Sequence, residues 1–285
     1  MRKVVFSIGF ILSFCSNVIS SDTLCKRVCL THSSLGTSGI SSLFLLNRVW
    51  YAPFNNQSFH LFNDGLNWMQ MDKAGHAFTA YELTLHTNRI HTWASGKKQN
   101  WVGSVYALGY LTTLELMDGF SEGWGFSIYD CLSNGLGTGF YLGQDWLWNE
   151  QRLLPKFSFS PSPYASLRPE VLGSSPIQQI LKDYNGQTYW LSCPIGEFIP
   201  CPRKLDFLCV SLGYSCDAKL VGDMDTWQQY TAQRQYMFSL DIDLRKVARN
   251  KPKLNRVLSQ FNCIKLPFPT MVFSKGRTAF HWIYF

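Results

Sequence analysis

"FLCVSLGYS" (residues 207–215) places Leu208, Val210, Leu212 and Tyr214 at alternate positions, with Cys209, Ser211 and Gly213 between them. A period of two marks a half-buried β-strand. "MFSLDIDL" (237–244) repeats it: Phe238, Leu240, Ile242 and Leu244 alternate with Ser239, Asp241 and Asp243. "TMVFSKGRTAFHWIYF" (270–285) adds a hairpin with Gly276 in its turn. Upstream the period is helical. Residues 72–93, 101–117 and Ser127 to about Leu147 read as three apolar helices, separated by "ASGKKQN" and "DGFSEGWG". The third carries Gly135, Gly137, Gly139 and Gly143, which implies close backbone contact with a neighbour.

The fold class is therefore α+β: an N-terminal apolar helical group followed by a small, mainly antiparallel C-terminal sheet, built from about 187 to 285. "SFSPSPYASLRP" (158–169) joins the two. The layout is a signal peptide over 1–20, a helical region over 21–155 and a mixed, strand-rich region over 156–285. Residues 21–70 suggest one short helix and a loop. Ser175 and Pro176 start a further short helix that Asn185-Gly186 ends. No internal repeat is visible.

The first twenty residues set the compartment. Arg2 and Lys3 precede the apolar "VVFSIGFILSF" (4–14), and "SNVIS" ends in a small residue at Ser20. That is a secretory signal, too short to span a bilayer comfortably. Cys15 is a lipid-attachment candidate, with the bulky Phe14 before it. Eight of the nine cysteines follow Ser20. An even number in an oxidising compartment permits disulfides, and one is expected among Cys193, Cys201, Cys209 and Cys216. Cys25 and Cys29 have zinc-like spacing but no CxxC pair joins them.

The composition, 46% hydrophobic and 16% charged, excludes a disordered chain. Charge is uneven. Residues 99–151 hold no Lys or Arg, whereas 245–285 hold nine and no acid. A basic tail meets nucleic acid or anionic lipid. Export argues against nucleic acid and leaves an envelope lipid or an envelope protein as partner.

The three helices also carry polar groups at helical spacing. The first has Asp72, Lys73 and His76, the second Glu115 and Asp118, the third Asp130 and Asn134 with Ser127 just before it. Buried ionisable groups are costly unless paired. Asp72, His76, Glu115, Asp118, Asp130 and Asn134 are therefore expected to converge. Lys73 points about 100° from Asp72 on an ideal helix and joins Ser127 and Asn134 as a binding candidate. A His among carboxylates can hold a divalent metal, move protons, or simply lock helices together. The residue types alone assign no cofactor. P-loop, HExxH and dinucleotide motifs are absent from the sequence. His86, His91 and His281 read as surface or packing residues.

"DKAGHAFTAY" (72–81) and "LELMDGFSEGWGFSIYDCLSNGLGTGFYLG" (114–143) resemble the YfiM-like family of predicted periplasmic lipoproteins of unknown function. "RPEVLG", "KDYNGQTYWLS", "SLDIDL" and the tail "IKLPFPT…FHWIYF" extend the resemblance over roughly 50–285. The motif order is also similar to that of VanZ-like membrane proteins, with Asp118 where those chains carry Gln. The resemblance implies an envelope protein with a polar helical cluster, in the periplasm or outer membrane of a Gram-negative bacterium. It implies no reaction.

Two functions follow. One is a non-enzymatic envelope protein that binds lipid or a protein. The other is an envelope enzyme acting on a lipid or glycan head group: His76 moves a proton, Glu115 and Asp118 orient it or hold a metal, and Lys73 meets phosphate. A full outer-membrane barrel is the less favoured reading, because four or five strand candidates fall short of the eight that the smallest bacterial barrels need.

Overall fold

The computed structural model describes residues 23–48, 57–223 and 225–285. The signal segment and Cys15 lie outside the described residues. Helix α1 (Thr23–Leu46) is far longer than the short helix expected there. Its Ser and Thr hydroxyls fold back onto carbonyls of the preceding turn, as in Thr31 to Arg27 and Ser34 to Leu30. That satisfies polar side chains which otherwise read as loop.

Helices α2 (Met71–Ser95), α3 (Trp101–Asp118) and α4 (Ile128–Trp148) fall where the period places them. Trp68, Met69 and Gln70 turn the chain into α2 with left-handed φ of 49°, 54° and 62°. Ser127 caps α4 by accepting from the Asp130 amide. Two glycines set the helix spacing. A Cβ on Gly137 would overlap the Ala77 carbonyl, and one on Gly103 the Thr84 carbonyl. The expectation of four close glycines in α4 is corrected: Gly135, Gly139 and Gly143 have nothing within 4 Å of a Cβ position.

Six strands follow: β1 (Leu154–Phe159), β2 (Gln187–Pro194), β3 (Leu208–Asp217), β4 (Gln233–Ile242), β5 (Phe268–Ser274) and β6 (Arg277–Tyr284). They form one antiparallel sheet in sequence order. The α+β class holds, but the sheet begins at 154 rather than near 187. β1 is only six residues long and contains a proline, which weakens a sequence signal. Short helices α5 (Pro169–Leu172) and α6 (Pro176–Lys182) lie between β1 and β2, and α7 (Leu244–Val247) and α8 (Pro252–Gln260) between β4 and β5. The sheet rolls. Phe157 donates to the Cys263 carbonyl at 2.8 Å and accepts from the Lys265 amide at 2.9 Å, so the segment just before β5 covers the free edge of β1.

The alternation that identifies the strands is inverted in its orientation. Cys209, Ser211, Gly213 and Ser215 of β3 are buried, and so are Met237, Ser239 and Asp241 of β4. Leu212, Tyr236, Phe238 and Leu240 are exposed. Helix α2 covers part of this apolar face: Phe78 meets the rings of Phe157 and Tyr189. The polar face closes on itself. The Lys156 ammonium lies 2.7 Å from Asp241 Oδ2 and donates to the Ile242 carbonyl at 2.7 Å, both side chains being 0% exposed. Ser192 donates to Asp241 and meets the Ser211 hydroxyl. Trp190 donates to Ser158.

The expected disulfide is absent, and all eight cysteines of the described residues are free. Cys193 sits opposite Val210, while Cys209 pairs with Pro194, so the two side chains leave the sheet on opposite faces. Cys216 is seven residues further along the same strand as Cys209, about 23 Å away.

Candidate functional site

The polar residues of the three helices do converge. His76 stands one turn into α2. Its Nδ1 is 3.1 Å from Asn134 Oδ1 and 3.6 Å from Glu115 Oε1. Its Nε2 is 3.8 Å from Asp72 Oδ1 and 3.6 Å from Asp130 Oδ1. The contact of Gly137 with Ala77 brings α4 this close to α2, with Asn134 one turn before that glycine.

Lys73 is fully part of the cluster. Its ammonium reaches Asp130 at 2.6 Å, Asp64 at 2.7 Å and Asp72 at 3.0 Å. The ideal-helix angle describes where Cβ points, and a four-carbon arm crosses that angle. An ammonium has three donors, and three carboxylates face this one. Ser127 acts from behind: it donates to Asp64 Oδ1 at 2.5 Å while it caps α4. Asp118, in the last turn of α3, enters through its charge, which adds to the shift of Glu115.

Two participants escape the helical pattern. Asp64 lies in the loop before α2, and Tyr184, just after α6, donates to Asp72 Oδ1 at 2.8 Å. Neither occupies a periodic position. The only sequence signals are the turn-like "NDG" and "DYNG" around them.

Acids outnumber cations here. Burial pushes Glu115 up to about 9, and the charges of Asp130, Asp118 and Asp72 add to it. Burial and then Asp72 push Asp130 up to about 7, against His76 and Lys73. Burial also works against ionised Asp72, but His76 and Lys73 outweigh it and hold that carboxyl below its ordinary value. Glu115 is 1% exposed, whereas the His76 and Asp72 side chains keep 21% and 25%. The site is thus closed behind and open at His76. An oxygen of Glu115 and the Asn134 amide nitrogen are buried without a hydrogen bond.

Of the remaining histidines, His91 is buried in a chain from Tyr106 through His32 to Gln99. His86 pairs with Glu82 at 3.2 Å, and His281 is exposed.

Residues 61–143 match a family model described as "Predicted periplasmic lipoprotein (DUF2279)". The match takes in every residue of the cluster except Tyr184 and covers under a third of the chain. Its description supports an exported protein of the periplasm or envelope and gives no reaction. No curated protein and no solved structure matches the chain.

Proposed function

We propose that this chain is a cell-envelope protein that lies against an anionic lipid surface. The inverted sheet carries the reading. Leu191, Leu212, Phe238, Met271 and Phe280 pair in register across five strands, and all five are exposed. Adjacent strands are about 4.8 Å apart, so this apolar row runs about 19 Å. Leaving it in water forgoes about 25 cal/mol for every Å² of apolar surface. Acyl chains restore that energy, and they also account for the polar groups having turned inward.

Helix α4 follows the same rule. Its buried residues include Asp130, Asn134 and Gln144, while Leu132, Leu136 and Trp146 face outward. Charge selects the lipid. Leu254, Val257 and Phe261 form an exposed stripe at helical spacing on and just beyond α8, interleaved with exposed Lys253 and Arg256. Apolar residues interleaved with basic ones suit an anionic interface.

Cosedimentation of the full chain with phosphatidylglycerol and phosphatidylcholine vesicles tests this. Binding to the first, weakened by salt and by Leu254→Ser with Val257→Ser, is expected. Equal absence from both, with the protein folded by circular dichroism, would overturn it, and a stable oligomer burying the row would identify a protein partner instead.

A second reading rests on the excess of acid around His76: an enzyme acting on a lipid or glycan head group, with His76 as proton carrier. It expects His76→Gln to leave vesicle binding intact and to abolish a change in envelope lipid or glycan between a deletion strain and its complement. Identical profiles in those strains would remove it.

A further inference from the structure

We propose that Asp72, His76 and Asp130 form a binding site for a divalent transition-metal ion, backed by Asn134 and Glu115. The inference concerns the cluster alone and stands whether or not the chain meets lipid.

The first argument is the direction of the lone pairs. Asn134 Oδ1 can only accept, and it lies 3.1 Å from His76 Nδ1, so Nδ1 carries the proton. The lone pair of neutral His76 is then on Nε2. That atom faces Asp72 Oδ1 and Asp130 Oδ1 at 3.8 and 3.6 Å, and the three atoms lie within 4.8 Å of one another. Three acceptors thus converge on one point, at separations too long for hydrogen bonds. Ligands about 2.1 Å from a shared ion are about 3.0–3.4 Å apart. Closing the difference takes small shifts at the tips of three side chains.

The second argument is what stands behind them. A metal-bound His typically gives its other N–H to an oxygen, and Asn134 accepts it here. Tyr184 holds the ligating oxygen of Asp72 at 2.8 Å. Glu115, 1% exposed, aims an oxygen without a hydrogen bond at His76 from 3.6 Å. Asp64, Asp72 and Asp130 face one ammonium, that of Lys73. With those three acids ionised, a divalent ion offsets their excess of two negative charges over Lys73. Lys73 now shares Asp130 Oδ1, and on ion entry it keeps Asp64 and Asp72 Oδ2.

The third argument is the donor set. One imidazole and two carboxylates, with a partly open side at His76, suit Zn²⁺ or Mn²⁺ with water completing the coordination. An imidazole donor disfavours Mg²⁺ and Ca²⁺.

The test uses the full chain stripped with chelator and titrated with ZnCl₂ by calorimetry and with MnCl₂ by electron paramagnetic resonance. One ion per chain is expected. His76→Gln and Asp130→Asn should each lower affinity at least as much as the about 10–100-fold typical of losing a residue behind the ligands, and Asn134→Ala should fall within that range. Leu212→Ser should bind like wild type. Should a ligand variant misfold, the His76 Nε2 resonance in the wild-type chain decides: a metal-dependent shift supports the site. No uptake by folded wild type, uptake unchanged in Asp130→Asn, or an unmoved His76 resonance each overturns it.

Discussion

The rolled sheet and the helical group both bury polar side chains and turn apolar ones outward, but they settle their buried charges differently. Inside the sheet, Lys156 faces Asp241, the Ile242 carbonyl takes another of its donors, and Ser192 donates to the same carboxylate. Among the helices, Lys73 faces Asp64, Asp72 and Asp130 at once, with Glu115 behind His76. The shared inversion speaks of the surroundings. The difference speaks of function: a matched pair is scaffold, whereas a cluster with more acids than cations invites a cation or a proton.

The largest expected effect breaks the matched pair. Asp241→Ala strands a fully buried ammonium and should cost about 3–5 kcal/mol in urea unfolding. Replacing both partners by Lys156→Met and Asp241→Leu should recover most of that loss. A double variant no more stable than Asp241→Ala would show that the pair does more than balance charge.

Titration separates the regions by sign. Glu115 is raised from its ordinary range to about 9. The folded chain therefore holds a proton that the unfolded chain releases, and stability falls as pH rises from about 4.5 to 9. Glu115→Gln in chelator should gain steadily on wild type across that window. Burial lowers Lys265 to about 8, opposed by the Asp241 charge. The unfolded chain then binds the extra proton, and stability rises between about pH 8 and 10.5, on the order of 3 kcal/mol. Lys265→Met should remove that rise. Slopes of one sign in both comparisons would erase the distinction between the regions.

Packing gives the next largest effect. Gly137→Ala places a methyl on the Ala77 carbonyl and should cost about 1–3 kcal/mol. Gly139→Ala, two residues along, meets nothing within 4 Å and should stabilise by about 0.5–1 kcal/mol. Because Gly137 sets the distance from α2 to α4, Gly137→Ala should also weaken metal uptake, and Gly139→Ala should leave it unchanged.

Much of this was legible in the sequence, for different reasons in different places. Helices α2, α3 and α4 announce themselves as long proline-free runs set apart by the breakers "ASGKKQN" and "DGFSEGWG". The convergence of Asp72, His76, Glu115, Asp130 and Asn134 followed from the expense of burying each alone. Asp64 and Tyr184 stayed hidden because loop residues have no period to depart from. Helix α1 was obscured by serines and threonines whose hydroxyls its own carbonyls accept. The sheet gives the sharpest lesson. Alternation in "FLCVSLGYS" separates two faces without saying which is covered, and water as the only solvent makes the apolar face the natural inside. The serines sit inside because they pair with one another and with Asp241.

The smallest effect on stability is expected where lipid contact is greatest. Leu212, 60% exposed in the outward row, should tolerate Leu212→Ser within about 0.5 kcal/mol in water, while vesicle binding falls. The most direct measurement is quenching of tryptophan fluorescence by phosphatidylglycerol brominated on its acyl chains, comparing wild type with Trp282→Phe. Trp282 is 78% exposed beside Phe280, their rings 5.0 Å apart. The difference between the two proteins should be a quenched, blue-shifted emission that appears only with anionic vesicles. An unquenched difference spectrum at the wavelength of tryptophan in water, with the protein bound to those vesicles, would contradict the claim that the apolar face of the sheet meets lipid.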